Sequence, residues 1–177
     1  MDMTREIEYE GTEFREVCII GRESFRDARG SFKRVLDTQL DSINIKQISF
    51  STNKKSGTLR GIHGLAISMN ETKVIECLSG SMFDVVVDFR KDSVNYLKWM
   101  GIKLSEESDT AIAIPPGFGH GFLTLEANTT VLYQMSCEYN PKFEIGYRFD
   151  DPRLGIQWPF APTEVSNKDL AWKFLIN

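Results

Sequence analysis

The sequence has only two histidines, three cysteines and no long apolar run, and each scarcity excludes a class of protein. A catalytic zinc site usually takes several His or carboxylate ligands at short spacing, and neither His63 nor His120 has a second ligand at such spacing. We therefore expect no metal. Cys18, Cys77 and Cys137 form no Cys-x-x-Cys pair and have apolar or β-branched neighbours, so we expect three reduced, buried thiols.

Membrane and nucleic-acid partners are also disfavoured. No apolar run approaches the ~18 residues that a membrane-spanning helix needs. The polar, acidic start MDMTREIEYE is unlike a signal or transit peptide. A net charge of −4 argues against a broadly basic surface for nucleic acid, although it leaves room for a local basic pocket that binds a phosphorylated ligand. We expect a cytoplasmic protein that binds neither a membrane nor a nucleic acid.

The length and the hydrophobic pattern predict one all-β domain over residues 1–177. A chain of 177 residues falls in the usual range of about 100–200 residues for one domain. Short apolar or alternating runs with turn signals between them predict an antiparallel sandwich or barrel. Ser79 and Gly80 are predicted to form a hairpin turn, and Ser166 is predicted to cap a short C-terminal helix. The predicted strands are 14–20, 31–37, 43–51, 72–78, 81–89, 97–105, 109–115, 120–126 and 129–139.

Two segments combine glycine with a histidine. GTLRGIH places Arg60 and His63 close together, and these residue types suit a phosphate contact and a general base. IPPGFGHGFLT sets His120 between two glycines, which would leave the imidazole open to a ligand. This second segment resembles the second half-motif of cupin barrels. Metal cupins add two further histidines and a Glu from an earlier strand, where this chain offers only His63. On spacing alone, both histidines could equally be structural.

Four other side chains have both a structural and a chemical interpretation. Tyr133 and Tyr139 are six residues apart and would share a sheet face in a regular strand. A phenol opposite a histidine would be a proton donor, although strand tyrosines usually serve in a core or interface. Asp169 is either a helix-capping carboxylate or the partner of a histidine. Lys73 is either a surface residue or a group that polarises a substrate oxygen.

Several short motifs follow one another along the chain. They are FRDARGSF, Gln47 with Ser51, LRGIH, Lys73, SGSMFDVVVD, PPGFGHGF, Tyr133, YNP, DDP, GIQWP and SNKD. This ordered set closely resembles that of the dTDP-4-dehydrorhamnose 3,5-epimerase family, over roughly residues 20–170. The resemblance implies a cupin-like jelly roll with a short C-terminal helix, and a metal-independent homodimer that acts in activated deoxysugar synthesis for cell-surface polysaccharides.

The resemblance also implies a role for each matching residue. His63 would be the base, paired with Asp169, and Tyr133 would be the acid on the opposite face of the sugar. Lys73 would stabilise the enolate oxygen at C4. An N-terminal arm of residues about 20–40 would be exchanged within the dimer. The implied substrate contacts are Arg60 and His120 by the diphosphate and sugar, Arg29 and Phe25 from the arm of the neighbouring subunit, Gln47 at the base, and Lys168, Tyr139 and Ser51.

This chemistry matches the residue types and calls for no cofactor. Protons next to a ketone are weakly acidic, so their removal needs a positioned base and a group that stabilises the enolate. Inversion needs proton return from the other face. The 4-keto group of the nucleotide-sugar substrate is itself the electron sink.

The chain departs from the family pattern at three places, and alternatives stay open there. Arg34 stands where the family has Glu, Ser49 where it has Asn, and Gly64–Leu65 where it has Tyr-Gln. The first two changes fall where the nucleotide base would lie, which keeps a GDP-linked 4-keto hexose or heptose as an alternative substrate. The third opens space beside His63 and keeps a C3-only epimerase as an alternative. A non-catalytic cupin that binds a sugar nucleotide is a further alternative; a ketoisomerase is disfavoured because the chain has no His-x-His.

Overall fold

A computed structural model describes residues 9–36 and 43–175 of the chain. These residues form fourteen strands, two short 3₁₀ helices and one short α-helix. The strands are β1 Tyr9–Gly11, β2 Cys18–Gly21, β3 Ser24–Asp27, β4 Gly30–Lys33, β5 Gln47–Asn53, β6 Thr58–Leu65, β7 Lys73–Ser79, β8 Ser81–Asp88, β9 Trp99–Ser105, β10 Thr110–Ile114, β11 Phe118–Thr124, β12 Thr129–Met135, β13 Glu144–Gly146 and β14 Glu164–Val165. The helices are Ile67–Met69 and Pro141–Phe143 (3₁₀) and α1 Asn167–Leu170.

The strands build two large sheets that face each other and one separate hairpin. The first sheet has the order β1-β9-β8-β11-β6-β13, with β14 also paired to β6. The second sheet has the order β2-β10-β7-β12-β5, so β5 is an edge strand. Strands β3 and β4 pair only with each other in the described part of the chain. All pairings are antiparallel except that of β14 with β6. The prediction of a cupin-like antiparallel jelly roll with a short C-terminal helix is confirmed.

The main core lies between the two large sheets. Strands β8, β9 and β11 supply one wall of this core, and β7, β10 and β12 supply the other. A second apolar cluster covers the opposite face of the first sheet, where Leu59, Phe83 and Leu123 pack beneath the C-terminal segment that includes Trp158 and Leu175. The C-terminal segment is thereby held along β6, and this position brings α1 to the side of that strand.

Several sequence predictions of local structure need correction. Ser79 and Gly80 do not close a hairpin, because β7 belongs to the second sheet and β8 to the first; Gly80, at φ 74°, turns the chain between sheets. The strand predicted over 14–20 begins only at Cys18, and α1 has a single turn. The strand predicted over 31–37 and the arm predicted over about 20–40 both extend into residues 37–42, which lie outside the described residues.

The three cysteines are free, but only Cys77 is buried. Cys18 is exposed because it opens the edge strand β2, and Cys137 is half-buried just beyond the end of β12. The prediction of three buried thiols is therefore wrong for two of them. Burial raises the pKa of the Cys77 thiol to about 12. None of the helices in the described residues is long and apolar enough to cross a bilayer.

A one-residue bulge in β6 sets the geometry of the cavity described below. Arg60 pairs with Phe122 of β11, and His63 pairs with His120. Two steps along β11 thus match three steps along β6, so the extra residue lies in β6. Gly61 supplies it at φ 109°, in the region that favours glycine. The bulge turns both Arg60 and His63 towards the inner side of the sheet, although a regular strand would point them to opposite faces.

Replacing Gly61 with alanine tests the bulge. A Cβ at Gly61 would lie 2.6 Å from both the Gly121 Cα and the His120 carbonyl oxygen, and the backbone angle would add strain. Strain of this kind costs about 1–3 kcal/mol per residue before the steric clash is counted. We expect Gly61→Ala to lower the free energy of unfolding in urea by at least that amount. Gly21→Ala is the matched control, because its Cβ would meet nothing within 4 Å; equal stability of the two variants would contradict the account.

Candidate active site

A cavity of about 330 Å³ opens between the two sheets where β6, β11, β12 and β5 meet. Its walls carry two histidines, a tyrosine and a carboxylate, which together can accept and donate protons. The cavity is lined by Ser51, Arg60, His63, His120, Phe122, Tyr133, Ser166, Lys168 and Asp169. Seven of these nine residues were among the sequence candidates; Phe122 and Ser166 were not proposed as site residues.

His63 and Asp169 form the first imidazole–carboxylate pair of the cavity. The His63 Nδ1 atom lies 3.6 Å from Asp169 Oδ1, slightly beyond hydrogen-bond length but within ion-pair distance. Such distances are often long in a free enzyme and shorten when substrate is bound. Because Nδ1 faces the carboxylate, Nε2 is the ring nitrogen left for a ligand.

Helix α1 holds Asp169 in this position. Ser166 caps the helix by accepting the Asp169 amide hydrogen at 3.0 Å, and its hydroxyl donates to Asp169 Oδ2 at 2.8 Å. Burial works to raise the pKa of Asp169, but the nearby His63 imidazole and hydrogen bonds from Ser166 and the Gly61 amide outweigh it, and the pKa lies below its ordinary value. The carboxylate is thus kept ionised beside the histidine.

His120 and Asp84 form a second pair on the neighbouring strands β11 and β8. The His120 Nε2 atom lies 2.7 Å from Asp84 Oδ2, and both residues are buried, at 5% and 0% exposure. A Cβ at Gly119 would meet the Phe89 ring, and one at Gly121 would meet the Arg60 carbonyl oxygen. The glycines are required by packing on the strand. His120 still lines the cavity.

Tyr133 stands on the wall formed by the second sheet. Its hydroxyl lies 2.9 Å from the Ser51 Oγ atom on the adjacent strand β5. Burial raises the pKa of Tyr133 to about 12, partly offset by the hydrogen bond with Ser51 and the charge of Arg60. Tyr133 is therefore a neutral phenol near pH 7, which can donate a proton but is a weak base.

Lys73 does not line the cavity in this structure. It is paired across the sheet with Met135, two residues from Tyr133, so it lies on the same sheet face as the phenol. Its Nζ atom lies 3.5 Å from Glu71 Oε2, and both side chains are largely buried. The structure thus brings Lys73 to the correct face, with its ammonium paired to Glu71.

A set of hydrogen bonds joins three predicted contacts at the rim of the cavity. Gln47 Oε1 accepts the Tyr139 backbone N–H at 3.0 Å, and the Tyr139 hydroxyl donates to Glu144 at 3.1 Å. Lys168 Nζ donates to the same Glu144 carboxylate at 2.7 Å. Strand β12 ends at Met135, so Tyr139 reaches the rim from a loop and not from the strand face that it was predicted to share with Tyr133.

Phe25 and Arg29 lie on the separate β3–β4 hairpin, away from this cavity. The Arg29 side chain is exposed and pairs with Asp27 at 2.6 Å. The Phe25 and Phe32 rings are neighbours at 6.4 Å between centroids, and the Arg34 guanidinium lies over both. Within one chain, therefore, the predicted arm residues do not contribute to the cavity.

Sequence reasoning missed Asp84, Asn53 and Glu144, which hold site residues in place. Asp84 has a signal in hindsight, since a carboxylate in the middle of the apolar run SMFDVVVDF is expensive to bury unless it is paired. Asn53 and Glu144 carry no such signal. Within residues 9–36 and 43–175, no group of three His, Cys, Asp or Glu side chains is placed to hold a metal ion.

A larger cavity of about 730 Å³ lies beside the loop that follows β8. Arg90 in its wall binds Asp88 and Glu16 and stacks on the Phe118 ring at 4.4 Å. The residues that line this larger cavity include no histidine or tyrosine. The smaller cavity is the one that can perform acid–base chemistry.

Comparison with known proteins gives one consistent family. Residues 11–177 match the family described as dTDP-4-dehydrorhamnose 3,5-epimerase. A curated dTDP-4-dehydrorhamnose 3,5-epimerase from Sinorhizobium fredii is 34% identical over 170 residues, which cover 93% of this chain and 87% of that protein.

Solved structures agree with the sequence comparison. A dTDP-6-deoxy-D-glucose-3,5-epimerase from Legionella pneumophila, crystallised with dTDP-4-keto-L-rhamnose, has a TM-score of 0.85 at 31% identity, covering 94% of this chain and 93% of that one. A 3′-monoepimerase from Streptomyces bikiniensis, in complex with dTDP-quinovose, has a TM-score of 0.81 at 27% identity, covering 89% and 83%.

The lowered pKa of Asp169 predicts a pH-dependent contribution to stability. A carboxylate whose pKa is depressed by folding stabilises the protein above its unfolded value, here near 3.8, and loses that contribution as the pH falls through the folded value. We expect the difference in unfolding free energy between wild type and Asp169→Asn to shrink between about pH 5 and pH 2. Denaturant unfolding at several pH values measures it. The exposed Asp92→Asn serves as control; a wild-type advantage that grows on acidification would contradict the prediction.

Proposed function

The chain belongs to the dTDP-4-dehydrorhamnose 3,5-epimerase family and is an isomerase of nucleotide sugars, and on this premise we propose how its residues act. The substrate is a dTDP-linked 4-keto-6-deoxy sugar, inverted at C3 and at C5. The observation that carries the mechanism is the cavity itself. An imidazole paired with a carboxylate stands on the first sheet, and a neutral phenol stands on the second.

His63 is the base. Its Nε2 atom takes the proton from the carbon next to the ketone, and the electron pair of the broken C–H bond moves into the C4 carbonyl to form an enolate. Asp169 orients the ring through Nδ1 and balances the positive charge that the imidazole gains. The ionised state of Asp169 supports this role.

Tyr133 is the acid that returns a proton to the opposite face of the carbon. The electron pair of the enolate forms the new C–H bond, the ketone is restored, and the phenol is left as a phenolate. Solvent then reprotonates the phenolate and takes the proton from the His63 imidazolium. The phenol is protonated near pH 7, so Tyr133 has a proton to donate. A base and an acid on different walls give inversion, whereas one group acting alone would return the proton to the same face.

The enolate oxygen and the diphosphate need cationic partners. Lys73 serves the C4 oxygen, which requires its ammonium to leave Glu71 for the cavity when substrate binds. Arg60 and Lys168 stand at the open side and serve the diphosphate. His120, fixed by Asp84, lies directly opposite His63 and contacts the sugar.

The nucleotide end of the site is completed by a second copy of the chain. The β3–β4 hairpin pairs with neither large sheet in the described residues, and it exposes Phe25, Phe32 and Arg29. The edge strand β5 exposes Ile48 and Phe50 at 55% and 71%. Exchange of the hairpin in a homodimer covers apolar surface and brings Arg29 and Phe25 to the partner's nucleotide.

A C3-only reaction is the second candidate, and the likeness to a 3′-monoepimerase favours it. The sequence argument for a C3-only reaction, that Gly64 and Leu65 leave space beside His63, is not supported. Neither residue lines the cavity, and a Cβ at Gly64 would point at the Phe118 carbonyl oxygen, 2.6 Å away. The number of carbons that exchange protons with solvent distinguishes the two reactions.

Three variants separate the base from the acid in deuterium oxide. His63→Ala should abolish proton exchange at every sugar carbon, because it removes the imidazole assigned as the base. Tyr133→Phe should lose inversion while exchange at one carbon persists, since proton removal precedes proton return. Asp169→Asn should slow both, within the ~10²–10⁴-fold range of acid–base effects. NMR of the sugar reports both quantities; exchange that survives in His63→Ala would remove His63 as the base.

The dimer is tested by charging its apolar face. Phe50→Asp should give a monomer with a raised KM, because the nucleotide loses contacts from the partner's hairpin. Val94→Asp, at a 93% exposed apolar residue in the β8–β9 loop, is the matched control and should stay dimeric. Sedimentation and steady-state kinetics measure these effects. A wild-type monomer with full activity would contradict the proposal.

A further inference from the structure

Asn53, at the end of β5, is buried and joins two parts of the cavity. It is 2% exposed, and both polar atoms of its side chain are engaged. Its Oδ1 atom accepts the Arg60 Nε hydrogen at 2.8 Å. Its Nδ2 atom donates to the Thr129 carbonyl oxygen at 3.1 Å and to Ser51 Oγ at 3.3 Å.

These partners leave the amide one orientation. The guanidinium of Arg60 can only donate, and the carbonyl of Thr129 can only accept. A flipped Asn53 side chain would set oxygen against oxygen and N–H against N–H. The second amide hydrogen must therefore point at Ser51, whose oxygen is fixed as an acceptor from Asn53.

The Ser51 hydroxyl hydrogen is then free for one neighbour. In the described part of the chain, the Ser51 side chain bonds to Asn53 and Tyr133, and the latter contact is 2.9 Å. With Ser51 donating to the phenol oxygen, the hydrogen of Tyr133 is left for the substrate carbon. When that hydrogen is transferred, the Ser51 donor already faces the phenolate, so no group reorients as charge develops.

We propose that Asn53 is a positioning residue that fixes Ser51 as a hydrogen-bond donor to Tyr133 and, through its other end, fixes the Arg60 guanidinium. The proposal rests on the function assigned to Tyr133 above. It makes one amide responsible for two effects: stabilisation of the phenolate during proton return, and orientation of the cation that meets the diphosphate. The two effects have different kinetic signatures, because one belongs to kcat and the other to KM.

The experiment uses a dTDP-linked 4-keto-6-deoxy sugar in deuterium oxide. It measures the rate of inversion, the rate at which deuterium enters the recovered substrate, and the steady-state kcat and KM. Ser51→Ala should slow inversion by about 10- to 100-fold, the effect of a hydrogen bond to a charged group, and raise the ratio of exchange to inversion with KM unchanged. Ser51→Thr, which keeps the hydroxyl, should restore both. Asn53→Leu should raise the same ratio and also raise KM, because Arg60 is released.

Val94→Ala, at a 93% exposed residue in the β8–β9 loop, is the control and should match wild type. A purely structural role would lower exchange and inversion together and leave their ratio constant, and that result in Ser51→Ala would overturn the proposal even if Asn53→Leu fails to fold. If Tyr133→Phe itself leaves the ratio unchanged, the assignment of the acid is wrong. If Tyr133→Phe raises the ratio of exchange to inversion and Ser51→Ala does not, Tyr133 remains the acid and only the proposed role of Asn53 and Ser51 is wrong.

Discussion

The close approach of Gly61 to Gly121 is the constraint on which the rest of the site depends. It allows β6 to carry one more residue than β11 between their two paired positions, and this bulge turns Arg60 and His63 to the same side. The Gly61 amide also contributes to the lowered pKa of Asp169. A regular strand at this point would point the base or the phosphate ligand away from the cavity. One backbone irregularity thus sets the positions of base, carboxylate and cation together.

The two sheets contribute different proton-transfer groups to the cavity. The first sheet brings two imidazole–carboxylate pairs, His63–Asp169 and His120–Asp84, into register across β6 and β11. The second sheet brings a phenol whose burial keeps it protonated. In the proposed mechanism, a sugar held between the two walls meets the base His63 on one face and the acid Tyr133 on the other. This asymmetry is what an epimerase requires and what a binding protein has no use for.

The sequence was informative where side-chain chemistry is local and less so where it depends on tertiary packing. Alternation and turn signals predicted the all-β fold and most central strands, since period-2 patterns reflect burial directly. The prediction of a hairpin at Ser79–Gly80 was wrong because a turn signal does not indicate which sheet the next strand joins. Tyr133 and Asp169 could be named from motifs, but Asn53 and Glu144 could not, because no local motif marks them. The bulge at Gly61 depends on a contact with β11 that no local pattern reveals.

The central claim is that wild-type protein moves carbon-bound protons next to a ketone. NMR of a dTDP-linked 4-keto-6-deoxy sugar with the wild-type protein in deuterium oxide measures this directly. The account predicts that deuterium enters the sugar at C3 and at C5 as the inverted product forms. Binding of that sugar nucleotide, or of its GDP counterpart, without exchange of any carbon-bound proton would contradict it.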